Sequence, residues 1–365
     1  MTGTMVSPPL ASYDADRAFG GYTLFAPSCD PPTTDQTGTI YLIDIDGRPV
    51  HRWHVGTALQ SHCQLLPNGN LLYPTRDRSR IQEAGLRELE PDGTVVWEYH
   101  CRIDHDFFVA PNGHRFLHTI TDHLAPAVGP ELTRHPYVIE IDREKRCHWE
   151  WRGDEHVAEL KTLLSDASWQ AVRERIVQDY PFDWAHNNTL QRIPANATHE
   201  SERDGDEDPI FRPGNLMFSY RSVNLIGVID YPSGEIVWAW GPDVLDGQHL
   251  PHVLENGNVL LFDNGTERGW SRVIEVNPVT EAIEWEYTGS PKESFFSPYI
   301  SGARRLPNGN TLICEGSKGH LFEVTEEGDV VWSFVNPYHA AHDRGSIYRC
   351  QRYTESEVAP LLTAR

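Results

Sequence analysis

The chain has 365 residues and a formal net charge of −22, long enough for one large domain or two ordinary ones. Eleven Trp, fourteen Tyr and 26 Pro against three Met lean towards a β-rich globular fold. The acidity excludes nucleic acid and anionic membrane as partners, since both need a positive footprint, and is read as serving solubility.

Residues 1–19 carry neither a basic start nor an apolar core, so they read as an N-terminal extension and not as an export signal. No apolar run approaches the length of a membrane span. The six cysteines are scattered without a CxxC pair and read as reduced thiols, which makes the cytoplasm the expected compartment. The strand-like GYTLFAP (Gly21–Pro27) has no partner nearby, and then a two-part unit begins to recur.

The first part is a strand, a turn with an acid or Asn, and a strand ending in Trp. It reads YLIDIDGRPVHRW from Tyr41, LRELEPDGTVVWEY from Leu86, YVIEIDREKRCHWEW from Tyr137, IGVIDYPSGEIVWAW from Ile226, SRVIEVNPVTEAIEWEY from Ser271 and HLFEVTEEGDVVWSF from His320. The second part is an Asn-Gly turn between apolar residues: LLPNGNLLY from Leu65, VAPNGHRFLH from Val109, VLENGNVLLF from Val253 and RLPNGNTLIC from Arg305. Such turns between β-branched and aromatic runs are the strongest short hairpin signal. Two hairpins make four strands, and a repeat of about 45–50 residues has the size of one propeller blade. Six units predict an all-β, six-bladed β-propeller of four-stranded blades over residues 20–353, with the N-terminal strand closing the last blade and residues 354–365 as a C-terminal tail. The unit Trps are expected to pack between blades.

One unit is stretched. Val157, Leu160, Leu163 and Leu164, then Trp169, Val172 and Ile176, follow helical spacing and predict one or two short helices in about 153–183. A second insert, residues 195–214, is acidic and apolar-poor and reads as a mobile surface loop.

Positions that recur in all units serve the fold, so the differences locate a site. Six residues before the Pro of PNGN, or its equivalent, stand Ser61, His105, His249 and Ser301; the comparable segment DWAHNNTLQRIP carries His186 and Asn188. The innermost strand of a propeller blade lines the central channel, so these lead-ins are expected to converge on one mouth of it. A lone His before a strand is usually a hydrogen-bonded structural residue. Three at comparable places around a ring shift the balance to a site. His62 lies one place off the pattern, and His51, His54, His114, His148 and His199 fall in hairpins or loops. In LMFSYRSVNLIGVID, Arg221 stands among Ser219, Tyr220 and Ser222; an oxyanion clamp and a salt bridge inside the blade fit it equally.

The segments DWAHNN, FSYRS and GQH…ENGNVLLFDNG, with the repeated LPNGN…W units, together resemble the bacterial arylsulfotransferases that do not use the nucleotide sulfate donor PAPS. The resemblance spans about residues 20–353, in a short form without the extra N-terminal β domain of well-known, periplasmic members. It implies a six-bladed propeller that moves a sulfuryl group from a phenolic sulfate ester to another phenol in two steps, with no cofactor and no metal. By this resemblance His249 is the sulfated nucleophile. Arg221 and Asn188 hold the sulfuryl oxygens, and His186 and His105 act as acid/base or oxyanion partners. Gln248, Tyr220 and Ser301 are further substrate-binding candidates, and His252, three residues beyond His249, is expected to point elsewhere.

Other readings of the same residues are a lyase or hydrolase for a small aromatic or carboxylate-bearing substrate, and a non-catalytic propeller that binds a ligand or protein. The HxxH pairs His249/His252 and His339/His342 suggest a metal, although residues three apart on a strand point to opposite faces. The expected partner is a small phenolic molecule; a homo-oligomer is left open.

Overall fold

The computed structural model describes residues 10–27, 38–55, 58–59, 61–76, 84–202, 210–338 and 345–363. Its strands form six antiparallel sheets, each built on the four-strand pattern read from the repeats, as in a six-bladed β-propeller. The chain divides into two compact units, residues 1–100 with 299–365, and residues 101–298. Each unit holds three of the sheets.

In the unit of residues 101–298 the sheets run, from inner to outer strand, from Ile103–Val109 to Cys147–Arg152, from Asn187–Arg192 to Ile236–Trp240, and from His249–Val253 to Ile283–Thr288. They are called here the His105, His186 and His249 blades. The Asn-Gly signals are tight turns: in ENGN, the Leu254 N–H donates to the Asn258 carbonyl at 2.8 Å, and Gly257 takes the left-handed φ of +87° that favours glycine. Trp151, the last tryptophan of its unit, reaches into the next blade, where its indole N–H donates to the Gly234 carbonyl at 2.7 Å. This is the packing role expected of the unit Trps.

The stretched unit does form two helices, Val157–Leu163 and Asp166–Gln178. Ser165 caps the second, its hydroxyl accepting from the Ser168 N–H at 3.1 Å. Val157, Leu160, Val172 and Ile176 bury against Trp184, Phe218 and Tyr220 in one apolar cluster. Leu163 stays exposed, because the first helix ends there and breaks the stripe. From the second helix Arg175 donates through Nε to the Ser222 carbonyl at 2.9 Å, bracing the short 3-10 turn Arg221–Val223.

The other unit contains the blade that joins the chain ends. Tyr22–Pro27 pairs with Ile347–Tyr353 on one side and with Gly38–Ile43 on the other. The closing blade therefore takes three strands from the N-terminal side and one, the innermost, from the C-terminal side. Upstream, Leu10–Tyr13 adds a fifth strand beside Val330–Val335. The stretch expected as a tail is in fact a helix, Glu355–Thr363, because Val358 and Leu361, three apart, bury on the same side. The acidic insert contains a helix, Ala197–Glu202, and its residues 203–209 lie outside the described residues. The five described cysteines are free thiols. Among the described residues no helix is long and apolar enough to cross a membrane.

Candidate functional site

The three inner strands of residues 101–298 share a defect. Each loses register just where the lead-in enters: between the pairs Ile103↔Thr119 and Phe107↔Leu117, Asn187↔Tyr220 and Leu190↔Phe218, and His249↔Phe262 and His252↔Leu260. A left-handed residue sits in or just before each break, His105 (φ +56°), His186 (φ +44°) and Leu250 (φ +52°). A non-glycine residue there stores roughly 1–3 kcal/mol, so its surroundings must hold it. Polar side chains do so by stitching one inner strand to the next. Asp106 accepts from the Phe107 N–H at 2.9 Å and, across the gap, from the Leu190 N–H at 2.8 Å. Thr189 accepts from the Leu250 N–H at 3.1 Å, and the Asn188 amide donates to the Gln248 carbonyl at 2.8 Å.

The left-handed turn at His105 puts its ring back on the preceding residue. Its Nδ1 lies 2.6 Å from Asp104 Oδ2. His186 repeats the arrangement with Asp183 Oδ2, also at 2.6 Å. The two rings meet edge to face with centroids 4.6 Å apart. Burial opposes ionisation of Asp104, yet the His105 ring, with His118 and His186, holds its carboxyl well below the usual carboxylate range. Asp183 is shifted in the same direction: burial raises it, and the hydrogen bond and charge of His186 together, with His105, outweigh burial. A carboxylate only accepts, so both rings carry a proton on Nδ1.

Behind this pair His118 is buried, and burial lowers its pKa; its Nδ1 donates to the Asp104 carbonyl at 2.7 Å. Asp104, His105 and His118 bring one ligand atom each within 4.8 Å of one another.

His249 is built differently. It is buried at the start of its strand, with Nδ1 2.7 Å from Asn264 Oδ1 and 3.1 Å from the Gly247 carbonyl. Its side-chain partner is a neutral amide, not a carboxylate. Asn264 is itself held: its Nδ2 donates to the Ser297 carbonyl at 2.7 Å, and the Ser271 hydroxyl donates to the Asn264 carbonyl at 2.6 Å while accepting from the Ser297 N–H at 2.9 Å.

The remaining candidates fall into two groups. Arg221 begins the 3-10 turn, and its backbone N–H donates to the His186 carbonyl at 3.4 Å. Its half-buried guanidinium has no hydrogen bond or ion pair among the described residues. Asn188 is buried beside the His249 lead-in; its Oδ1 accepts from the Thr189 hydroxyl at 3.0 Å. Gln248, by contrast, is fully buried with its amide donating to Ser219 Oγ and the Leu225 carbonyl, both at 3.0 Å, inside the His186 blade. Tyr220 lies in the apolar cluster against Trp184, and burial pushes its phenol well above its ordinary value. These are the surroundings of core residues. Ser301 belongs to the other unit, where its hydroxyl accepts from the Gly316 N–H at 2.9 Å. His252 is buried with Nδ1 donating to the Leu250 carbonyl at 3.1 Å, and His339/His342 lie outside the described residues. The sequence reading missed Asp104, Asp183 and Asn264. Asp183 and Asn264 left a trace, inside the quoted DWAHNN and FDNG segments.

Solved structures give this architecture relatives. A protein of unknown function from Bacteroides caccae is 14% identical, with a TM-score of 0.54 over 91% of this chain and 98% of that one, a likeness of fold alone. Virginiamycin B lyase from Staphylococcus aureus is 11% identical, with a TM-score of 0.46 over 90% and 88% of the two chains, too distant to carry an argument. No curated protein matches the chain. The model of the arylsulfotransferase (ASST) family matches residues 103–337, a span that takes in all three histidines, Arg221 and Asn188. With more than half of its length covered by that match, the chain belongs to the arylsulfotransferase family.

Proposed function

We propose that this arylsulfotransferase-family protein moves a sulfuryl group from an aryl sulfate ester to a phenolic acceptor through a sulfated His249. The Nε2 lone pair of His249 attacks sulfur, an N–S bond forms, and the ester S–O bond breaks with its electron pair leaving on the phenolate. His105 or His186, held by its carboxylate, gives the phenolate a proton. In the second half the same ring takes the acceptor's proton, the acceptor oxygen attacks sulfur, and the N–S pair returns to His249. Such transfers pass through a loose transition state with charge spread over three peripheral oxygens. Arg221 and the imidazolium rings neutralise that charge.

The observation that carries this reading is Arg221. A half-buried guanidinium without a partner among the described residues, one hydrogen bond away from the His186 backbone, is a cationic fork kept for an anion from outside. The test is mass spectrometry after incubation with 4-nitrophenyl sulfate. An acid-labile sulfuryl adduct on the peptide containing His249 supports transfer. Release of 4-nitrophenol with no adduct, and no product from an added phenol, would move the assignment to hydrolysis.

A further inference from the structure

On the reading that Nε2 of His249 receives the sulfuryl group, we propose that Asn264 is a positioning residue that fixes His249 in the Nδ1–H tautomer and keeps the nucleophile uncharged. Two steps lead there. The Ser297 carbonyl can only accept, so the Asn264 group bonded to it is the NH₂, and Oδ1 must face His249. Both groups at His249 Nδ1, Asn264 Oδ1 at 2.7 Å and the Gly247 carbonyl at 3.1 Å, are then acceptors. Nδ1 therefore carries the proton, and Nε2 holds the lone pair that attacks.

The choice of an amide matters as much as its placement. His105 and His186 have carboxylate partners, which set a full negative charge beside the ring. A carboxylate at position 264 would favour the imidazolium, whose Nε2 has no lone pair. Asn264 supplies the same geometry without the charge. Ser271 and Ser297, both fully buried, lock it through the bonds described above.

Long-range ¹H–¹⁵N correlation spectra of the full chain with ¹⁵N-labelled histidine test this, with the His249 ring assigned by its absence in His249→Ala. The wild type should show a protonated Nδ1 and an unprotonated Nε2 at neutral pH. Asn264→Leu should move the ring towards the Nε2–H tautomer and lower kcat/KM roughly 10²- to 10⁴-fold, the range seen when an imidazole loses its orienting partner. Asn264→Asp should keep the Nδ1 proton, protonate Nε2 as well, and move the acid limb of kcat/KM to higher pH. An Nε2–H ring in the wild type, or ¹⁵N shifts and pH dependence unchanged in Asn264→Asp, overturns the proposal even if Asn264→Leu does not fold. The spectra need no sulfuryl transfer: the expected tautomer without any sulfohistidine would sink the proposed function alone, and a sulfohistidine with a tautomer indifferent to Asn264 would sink this proposal alone.

Discussion

Ser301 and His249 occupy the same place relative to the turn that follows them, six residues before Pro307 and Glu255, yet the two units use that place differently. In residues 299–365 the serine hydroxyl serves backbone: it accepts from the Gly316 N–H at 2.9 Å and lies near the Tyr299 carbonyl. In residues 101–298 the equivalent histidines face other side chains, Asp104 for His105 and Asn264 for His249. A lead-in held by its own backbone is scaffold. A lead-in held by a dedicated side-chain partner has been oriented for something else.

Substitutions at four residues press on that contrast, and the largest effect belongs to His249. His249→Ala should abolish turnover of 4-nitrophenyl sulfate with the fold retained in circular dichroism; residual transfer near the wild-type rate would remove its role as nucleophile. Next comes Arg221. A charge-assisted hydrogen bond is worth about 1.5–3 kcal/mol, so Arg221→Lys should lower kcat/KM roughly ten- to a hundredfold, and Arg221→Ala further. Free sulfate should inhibit the wild type competitively and the Ala variant poorly. Two Arg221 variants that melt early but keep their sulfate inhibition would make the residue structural.

A smaller effect, sharper in its pH dependence, belongs to Asp183. Its carboxyl, like that of Asp104, titrates below the ordinary value of 3.8, so the stability it contributes is present above that pH and disappears as pH falls below it. The thermal midpoint of Asp183→Asn should therefore fall short of the wild type by its full margin at pH 7, and the gap should close as the pH is taken below about 4. A gap that stays constant with pH would mean that the carboxylate charge plays no part. The smallest change is expected from Ser301→Ala, a loss of about 1 kcal/mol for one hydrogen bond, read in denaturant unfolding. If that variant instead loses transfer activity at unchanged stability, the contrast between the two units fails.

Much of the scaffold was legible because blades repeat. Six Trp-ended hairpins and four Asn-Gly turns gave the blade count, and comparing copies singled out His105 and His249. The partners of those histidines were not legible, for a local reason. Period-two alternation assigns side chains to faces only while a strand keeps register, and each inner strand breaks register at its lead-in. The left-handed turn at His105 folds its ring onto Asp104, a neighbour that alternation would send to the opposite face. Gln248 and Tyr220 mislead for another reason. They stand beside site residues in sequence, but the chain directs them into the His186 blade and its core. Asn264 escaped notice because its contact with His249 crosses a hairpin and rests on Ser297, 33 residues further on.

The indole bonds between neighbouring blades carry an optical consequence. Trp53 donates to the Glu90 carbonyl at 3.2 Å, Trp151 to Gly234 at 2.7 Å and Trp332 to Ile45 at 2.8 Å, each on the adjoining blade of its unit, and all three side chains are buried. Parting two blades takes an indole from a fixed carbonyl in an apolar seam into water, where its emission moves to longer wavelength. The emission of these three indoles thus reports separation of blades, whereas far-ultraviolet dichroism reports the strands within them. Denaturation followed by both signals would tell whether blades come apart before they unravel.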